Sequence, residues 1–287
     1  MLPFVTFHVP DAPALTRALA LDDVVGRDPG CEICIAHASI SRRHAQFKRD
    51  PDGAWAVVDL GSKNGLRLDG QRVQRVELDS GRWFAIGDVY AQFELVSPQL
   101  AESRASSVDR RRTASQTMRA LLAADPRDSE HLKRSLAAFV ELAECRRGFV
   151  LGGNGRHAFG VLARHDADDA PVDAADFDGS SGVLQRCVQE RRALFVSNLP
   201  DAAWLKGRAS IVAGGVRAAA CLPLLDGGDL LGLLYADTDE GARMFDALDA
   251  ELLGAFADDI ASWLAAQALD ARVDALGARL RDQGDAP

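Results

Sequence analysis

Turn-forming clusters recur at short intervals in the first third of the chain: Asp28-Pro29-Gly30, Pro51-Asp52-Gly53, Asn64-Gly65, Asp69-Gly70 and Ser80-Gly81. Punctuation this dense leaves room only for short elements, and the stretches between the turns carry β-type patterning. "PFVTFHV" alternates in polarity, "AWAVVDL" is rich in β-formers, and "RWFAIG" and "VYAQFELV" follow closely. Residues 1–97 are therefore expected to form an antiparallel, all-β sandwich.

The pattern then changes. Ser97 to Gln116, "SPQLAESRASSVDRRRTASQ", is rich in Ser and Arg and nearly devoid of large apolar residues. Residues 98–127 read as a linker, with a short helix beginning near "TMRALLAA". From 128 the period is helical: Leu132, Leu136 and Val140 share a face with Phe139 and Ala143. Strand-like pieces follow ("GFVLGG", "AFGVLA", "ALFVS", "AAACLPL", "LLGLLYAD"), interrupted by a helical "SGVLQRCVQERR". Residues 128–266 are thus expected to form an α+β domain on an antiparallel sheet. The Ala-, Leu- and Asp-rich end, including the 267–287 extension, reads as one long helix of about 50–60 Å. Leu269, Val273, Leu276 and Leu280 continue an apolar seam along it. That seam fits either a partner helix or an Ala-rich tail.

Composition narrows the function classes. Hydrophobic residues at 47% can build two cores across 287 residues, while a net charge of −9 argues against a general nucleic-acid or membrane-surface binder. No apolar run approaches a membrane span, and "MLPFVTFHVPDAP" lacks the basic and apolar regions of a signal peptide. Five sparse cysteines fit reduced thiols, so a soluble cytoplasmic protein is expected.

"GRDPGCEICIAHASISRRHAQF" offers two chemistries. Cys31, Cys34, His37 and His44 invite a zinc reading. In a strand, however, Cys31 and Cys34 project to opposite faces and cannot chelate one tetrahedral ion, so no metal is expected. The anion reading has more support. Gly26-Arg27, Ser41-Arg42-Arg43-His44 and Ser62-Lys63-Asn64-Gly65 supply guanidinium, ammonium and hydroxyl groups at turn positions, as a phosphate requires.

Four segments in order, "GRDPGCEI", "SISRRHAQF", "DLGSKNGLRLDG" and "RWFAIGD", resemble those of a forkhead-associated (FHA) domain, a β-sandwich that recognises phosphothreonine peptides. The resemblance implies that Arg27 contacts the phosphate or adjacent peptide backbone and that Ser41 donates its hydroxyl to the phosphate. Arg42 would lie at the pocket edge, and Asn64 would hold the peptide main chain. Gly26, His44 and Gly65 would support the site without touching ligand. Lys63 departs from the Ser or Thr usual before the Asn; an ammonium there is a point charge with looser geometry, implying altered selectivity.

"SSGVLQRCVQERRALFVSNLPD" followed by "SIVAGGVRAAACLPLLDGGDLLGLLYADT" resembles a GAF domain, a sensor fold that also pairs through its terminal helices. No residue set selects a ligand, and no cofactor is expected. Asp173, Asp176 and Asp178 do not fit a calcium loop, and His157 and His165 are isolated. Cys145 and Cys187 lie beside arginines, which opens a thiol or redox alternative; Cys187 and Cys221 otherwise read as core.

Arg110, Arg111 and Arg112 precede Thr113, a pattern for a basophilic kinase. Thr113 is a candidate phosphoacceptor that would dock on the same or a neighbouring chain's FHA domain; the three arginines equally suit a solvated linker. The expected function is a non-enzymatic, phosphothreonine-dependent signalling adaptor. Its partner would be a phosphothreonine protein such as a Ser/Thr kinase or its substrate. The GAF domain would sense a small molecule or form a homodimer through its terminal helices. The chain ends soon after the GAF helix, so output is expected through partners. The alternatives are a GAF-based thiol enzyme with an FHA localiser and a phosphate-independent scaffold.

Overall fold

In the computed structural model, residues 1–122, 128, 130–153, 159–166, 177, 179–197, 216–239 and 243–284 are described. The chain divides into two compact units, the first centred on Met1–Arg111 and the second on Arg112–Phe195, Ile211–Arg243 and Asp249–Pro287.

Eleven short strands build the first unit: β1 (Leu2–His8), β2 (Leu15–Ala18), β3 (Val24–Gly26), β4 (Ile33–Cys34), β5 (Ala45–Arg49), β6 (Trp55–Asp59), β7 (Leu66–Leu68), β8 (Gln71–Val73), β9 (Arg75–Leu78), β10 (Arg82–Ile86) and β11 (Val89–Val96). They form two sheets, ordered β2-β1-β11-β10-β7-β8 and β4-β3-β5-β6-β9. The alternation read from the sequence becomes burial. In β11, Val89, Ala91 and Phe93 are buried while Tyr90, Gln92 and Glu94 are only half-buried. Phe7, Phe47, Phe84 and Phe93 are fully buried, and Phe47 of one sheet meets Phe84 of the other edge-on at 6.4 Å. Each such ring contributes about 1.5–3 kcal/mol on leaving water, which holds the two sheets face to face.

The N-terminal unit is thus the β-sandwich expected, with one departure: β3 and β4 run parallel. The strand read over "CEICIAH" shortens to Ile33–Cys34, yet the alternation persists. Cys31, Ile33 and Ile35 are buried; Glu32, Cys34 and Ala36 are exposed. The two thiols point apart, Cys31 Sγ donating to the Arg42 carbonyl at 3.2 Å and Cys34 Sγ lying 3.8 Å from the Arg27 carbonyl.

The segment read as a linker is helical from its start. Helix α1 runs Pro98–Leu122, where only a short helix near the end was expected. Ser97 caps it, its Oγ accepting the Leu100 N–H at 3.2 Å, and Pro98 takes the first-turn position where a missing N–H costs nothing. Arg, Ala, Leu, Gln and Met are good helix formers, which outweighs the Ser content that resembles a linker. Within the second unit, Arg112 and Arg119 make forked ion pairs with Glu251 and Asp259, at 2.6–2.8 Å and 2.5–2.8 Å.

The second unit adds α2 (His131–Leu142), β12 (Arg147–Gly152), β13 (Gly160–Asp166), α3 (Ser181–Glu190), β14 (Leu194–Val196), β15 (Ala218–Asp226), β16 (Asp229–Thr238) and α4 (Ala247–Gly284). Its antiparallel sheet has the order β13-β12-β16-β15-β14. Leu136, Phe139 and Val140 of α2 are buried, as the helical periodicity predicted. Helix α4 has 38 residues, about 57 Å at 1.5 Å per residue. Along it Leu269, Val273 and Leu276 are exposed, at 61%, 58% and 58%; the side chain of Leu280 lies outside the described residues. Among the described residues no helix is long and apolar enough to cross a membrane.

Candidate anion-binding site

Three loops of the sandwich carry the predicted groups: β3–β4 holds Arg27, β4–β5 holds Ser41 and Arg42, and β6–β7 holds Lys63 and Asn64. They are stitched together mainly by backbone. The Arg27 N–H donates to the Ser41 carbonyl at 3.0 Å and the Asp28 N–H to the Arg42 carbonyl at 3.1 Å. Gly26 permits this approach, since a Cβ there would sit 2.0 Å from the Arg42 carbonyl oxygen.

The β6–β7 loop is shaped by Asp59. Its Oδ2 accepts the Gly61 and Ser62 N–H groups at 3.0 Å each, and its Oδ1 takes the Ser62 hydroxyl at 2.5 Å. Ser62 Oγ in turn accepts the Gly65 N–H at 2.8 Å, closing the turn that presents Lys63 and Asn64. Gly65 sits at φ +73°, and a Cβ there would meet Arg72 Nε at 2.4 Å. Gly65→Ala is expected to cost about 1–3 kcal/mol and to weaken anion binding, measured by chemical denaturation and peptide titration.

His44 joins the loops from below and is fully buried. Its Nδ1 accepts the Ser41 N–H at 3.1 Å, which leaves the proton on Nε2 to donate to the Gly65 carbonyl at 3.3 Å. One ring therefore sets the spacing between Ser41 and the Asn64-Gly65 turn. Burial pushes its pKa below the ordinary histidine value; the Gly65 carbonyl and Asp59, 3.9 Å away, pull the other way, and Arg72 adds to the lowering.

The polar groups at the loop tips follow from this frame. Ser41 Oγ accepts the Lys63 N–H at 3.1 Å, so its hydroxyl proton remains available to an anion. Asn64 spends one amide N–H on the Ser39 carbonyl at 2.8 Å, which orients it and leaves its side-chain oxygen and second N–H. Ser39 is itself fixed, its Oγ meeting His37 Nδ1 at 2.8 Å and accepting the Asp88 N–H at 2.9 Å. Arg27, Arg42 and Lys63 are exposed, and among the described residues none pairs with a carboxylate. Elsewhere in the unit Arg67, Arg82 and Arg104 do, with Asp88, Asp79 and Glu94 at 3.7, 2.8 and 3.3 Å.

Arg27, Ser41, Arg42, Lys63 and Asn64 thus sit on loops that share hydrogen bonds at one end of the sandwich. Asp59 and Ser39, which help build the frame, were not singled out from the sequence, and Ser62 was read only as part of the Ser62-Lys63-Asn64-Gly65 cluster. An Asp three residues before a Ser, just ahead of the Asn-Gly turn, was the available signal.

In the second unit, Cys187 and Cys221 are buried and adjacent, Cys187 Sγ reaching the Cys221 carbonyl at 3.5 Å. Burial pushes the Cys221 thiol far up and that of Cys145 up to about 12. Arg146 and Arg147 are drawn to Asp239 and Asp237 at 3.3 and 2.5 Å. Sequence reasoning did not foresee a cavity of about 530 Å³ lined by Gln116, Arg119, His131, Phe256, Asp259 and Trp263, among others. His157, Asp173, Asp176 and Asp178 lie outside the described residues, as does the 198–215 part of the GAF-like text.

Known families match each part of the chain. Residues 24–87 match the FHA domain family model and residues 129–265 the GAF domain family model. The chain is 40% identical over 73 residues to the ABC transporter ATP-binding/permease protein Rv1747 of Mycobacterium tuberculosis, spanning 25% of this chain and 8% of that protein. It is 40% identical over 62 residues to the oxoglutarate dehydrogenase inhibitor of Corynebacterium diphtheriae, 22% of this chain and 43% of that one. The chain therefore spans less than half the length of either relative. The crystal structure of Rv1747 FHA-1 is similar at 32% identity and a TM-score of 0.28, covering 33% of this chain and all of that one. The chain carries an FHA domain followed by a GAF domain.

Proposed function

We propose that this protein is a phosphothreonine-dependent signalling adaptor. The observation that carries the proposal is the set of exposed cations Arg27, Arg42 and Lys63 beside the Ser41 hydroxyl and Asn64 amide, on loops held in register by His44. A phosphothreonine brings about −1.5 to −2 charge and three acceptor oxygens, which this donor set complements. The partner would be a phosphoprotein, a Ser/Thr kinase or its substrate, met in the cytoplasm.

Paired phosphothreonine and unmodified peptides, compared by fluorescence polarisation, test the reading. The phosphopeptides are expected to bind at least tenfold more tightly; equal affinities would reduce the sandwich to a phosphate-independent scaffold.

Thr113 remains the candidate phosphoacceptor, with a changed setting. It is exposed on α1, its carbonyl accepts the Thr117 hydroxyl at 2.9 Å, and Arg112 is engaged by Glu251. Phosphorylation there requires the helix to open locally, because a kinase groove takes an extended chain. The GAF domain would act as a small-molecule sensor or as a dimerising module, its exposed Leu269, Val273 and Leu276 supplying the seam. A non-enzymatic role is favoured over a thiol enzyme because burial raises the Cys145 and Cys221 pKa values, whereas a nucleophilic thiol needs a lowered one.

A further inference from the structure

Lys63 stands where the resemblance leads one to expect a hydroxyl, and its surroundings say what it is for. Its backbone N–H is fixed to Ser41 Oγ at 3.1 Å, so its Cα is held beside the hydroxyl that faces the anion. Its side chain is exposed and, among the described residues, meets no carboxylate. Arg27 and Arg42, also without carboxylate partners, stand on the two adjoining loops. Two acidic groups of the β3–β4 loop are hydrogen-bonded locally: Asp28 Oδ1 accepts the Gly30 N–H at 2.9 Å and Glu32 Oε2 the Val24 N–H at 3.0 Å. In a chain of net charge −9, three solvent-facing cations thus stand on the loops that meet at the Ser41 hydroxyl.

We infer that Lys63 selects ligands carrying a second negative charge within two residues of the phosphothreonine. An extended peptide advances about 3.3–3.6 Å per residue, so such a charge lies about 3–7 Å from the phosphate, within a lysine's swing. A flexible ammonium suits this better than a short hydroxyl: it is a point charge with rotatable donors and tolerates either anion geometry. An acidic side chain and a second phosphate supply the same chemistry. The inference rests on the phosphothreonine reading above.

The test is a peptide set on the full chain: one phosphothreonine with neutral flanks, the same peptide with an adjacent Asp, a doubly phosphorylated version, and the unmodified sequence. The Asp peptide is expected to bind about fivefold more tightly than the neutral-flank phosphopeptide, and the doubly phosphorylated one more tightly still. Both gains, taken relative to the neutral-flank phosphopeptide on the same protein, should shrink with added salt and vanish in Lys63→Gln, which also weakens the neutral-flank phosphopeptide because Lys63 belongs to the donor set. A gain confined to the second phosphate would assign the preference to that source. Flanking charge without effect, or Lys63→Gln weakening all phosphopeptides equally, would overturn the inference while leaving phosphothreonine binding intact. If no phosphopeptide outbinds the unmodified one, the underlying reading fails instead.

Discussion

Arg27→Ala should weaken phosphothreonine-peptide binding by about a hundredfold while leaving the fold unchanged. The guanidinium is exposed and, among the described residues, pairs with no carboxylate, so its removal opens no cavity. The backbone N–H that ties the loop to Ser41 stays in place. What disappears is a charge-assisted contact to a dianion; truncating such a partner costs about 2–5 kcal/mol, and about 2.7 kcal/mol is a factor of a hundred. Isothermal titration with one phosphopeptide measures it, and an unaltered denaturation profile excludes misfolding. Affinity within threefold of wild type would remove Arg27 from the site.

His44→Phe should do the reverse, damaging the frame without removing a ligand contact. The phenyl ring fills the buried volume but leaves the Ser41 N–H and Gly65 carbonyl unsatisfied, an expected cost of about 2–4 kcal/mol. Hydrogen exchange of β5 and β10 should accelerate accordingly, and peptide affinity should fall more than tenfold although His44 touches no ligand. The cost also depends on pH. Burial holds the folded-state pKa of His44 below 6.5, so folding favours the neutral ring. Its stabilising effect is complete above about pH 6.5 and declines as pH falls from there toward the folded-state pKa, because the unfolded chain takes up the proton first. The stability gap between wild type and His44→Phe should therefore narrow on acidification. Free-protein stability is the proper readout, since a peptide phosphate itself titrates near pH 6. His8, whose burial lowers its pKa to about 4, adds a dependence of the same sign to both proteins and cancels in the difference.

Much of this was readable in the chain because it rests on short-range chemistry. Alternation along "VYAQFELV" became inward and outward faces of β11, and the turn signals became strand ends. Arg27, Ser41 and Asn64 were picked out because turn residues and polar or charged side chains coincide locally in segments that resemble an FHA domain. Helix α1 was misread because its composition matches both a solvated linker and a helix. Its Ser97 cap and the Arg112–Glu251 and Arg119–Asp259 pairs add to its helix formers, and the pairs join residues about 140 positions apart.

Sequence alone determined the two domain types and the strand patterning, since each depends on residue kinds at fixed local spacing. Tertiary structure decided which groups are spoken for and which are free. Asn64 half-engaged by Ser39, Ser41 shared with Lys63, and His44 reaching the Gly65 carbonyl are all long-range hydrogen bonds. Such bonds exist only once buried backbone groups must find partners, and that demand arises from packing the two sheets together.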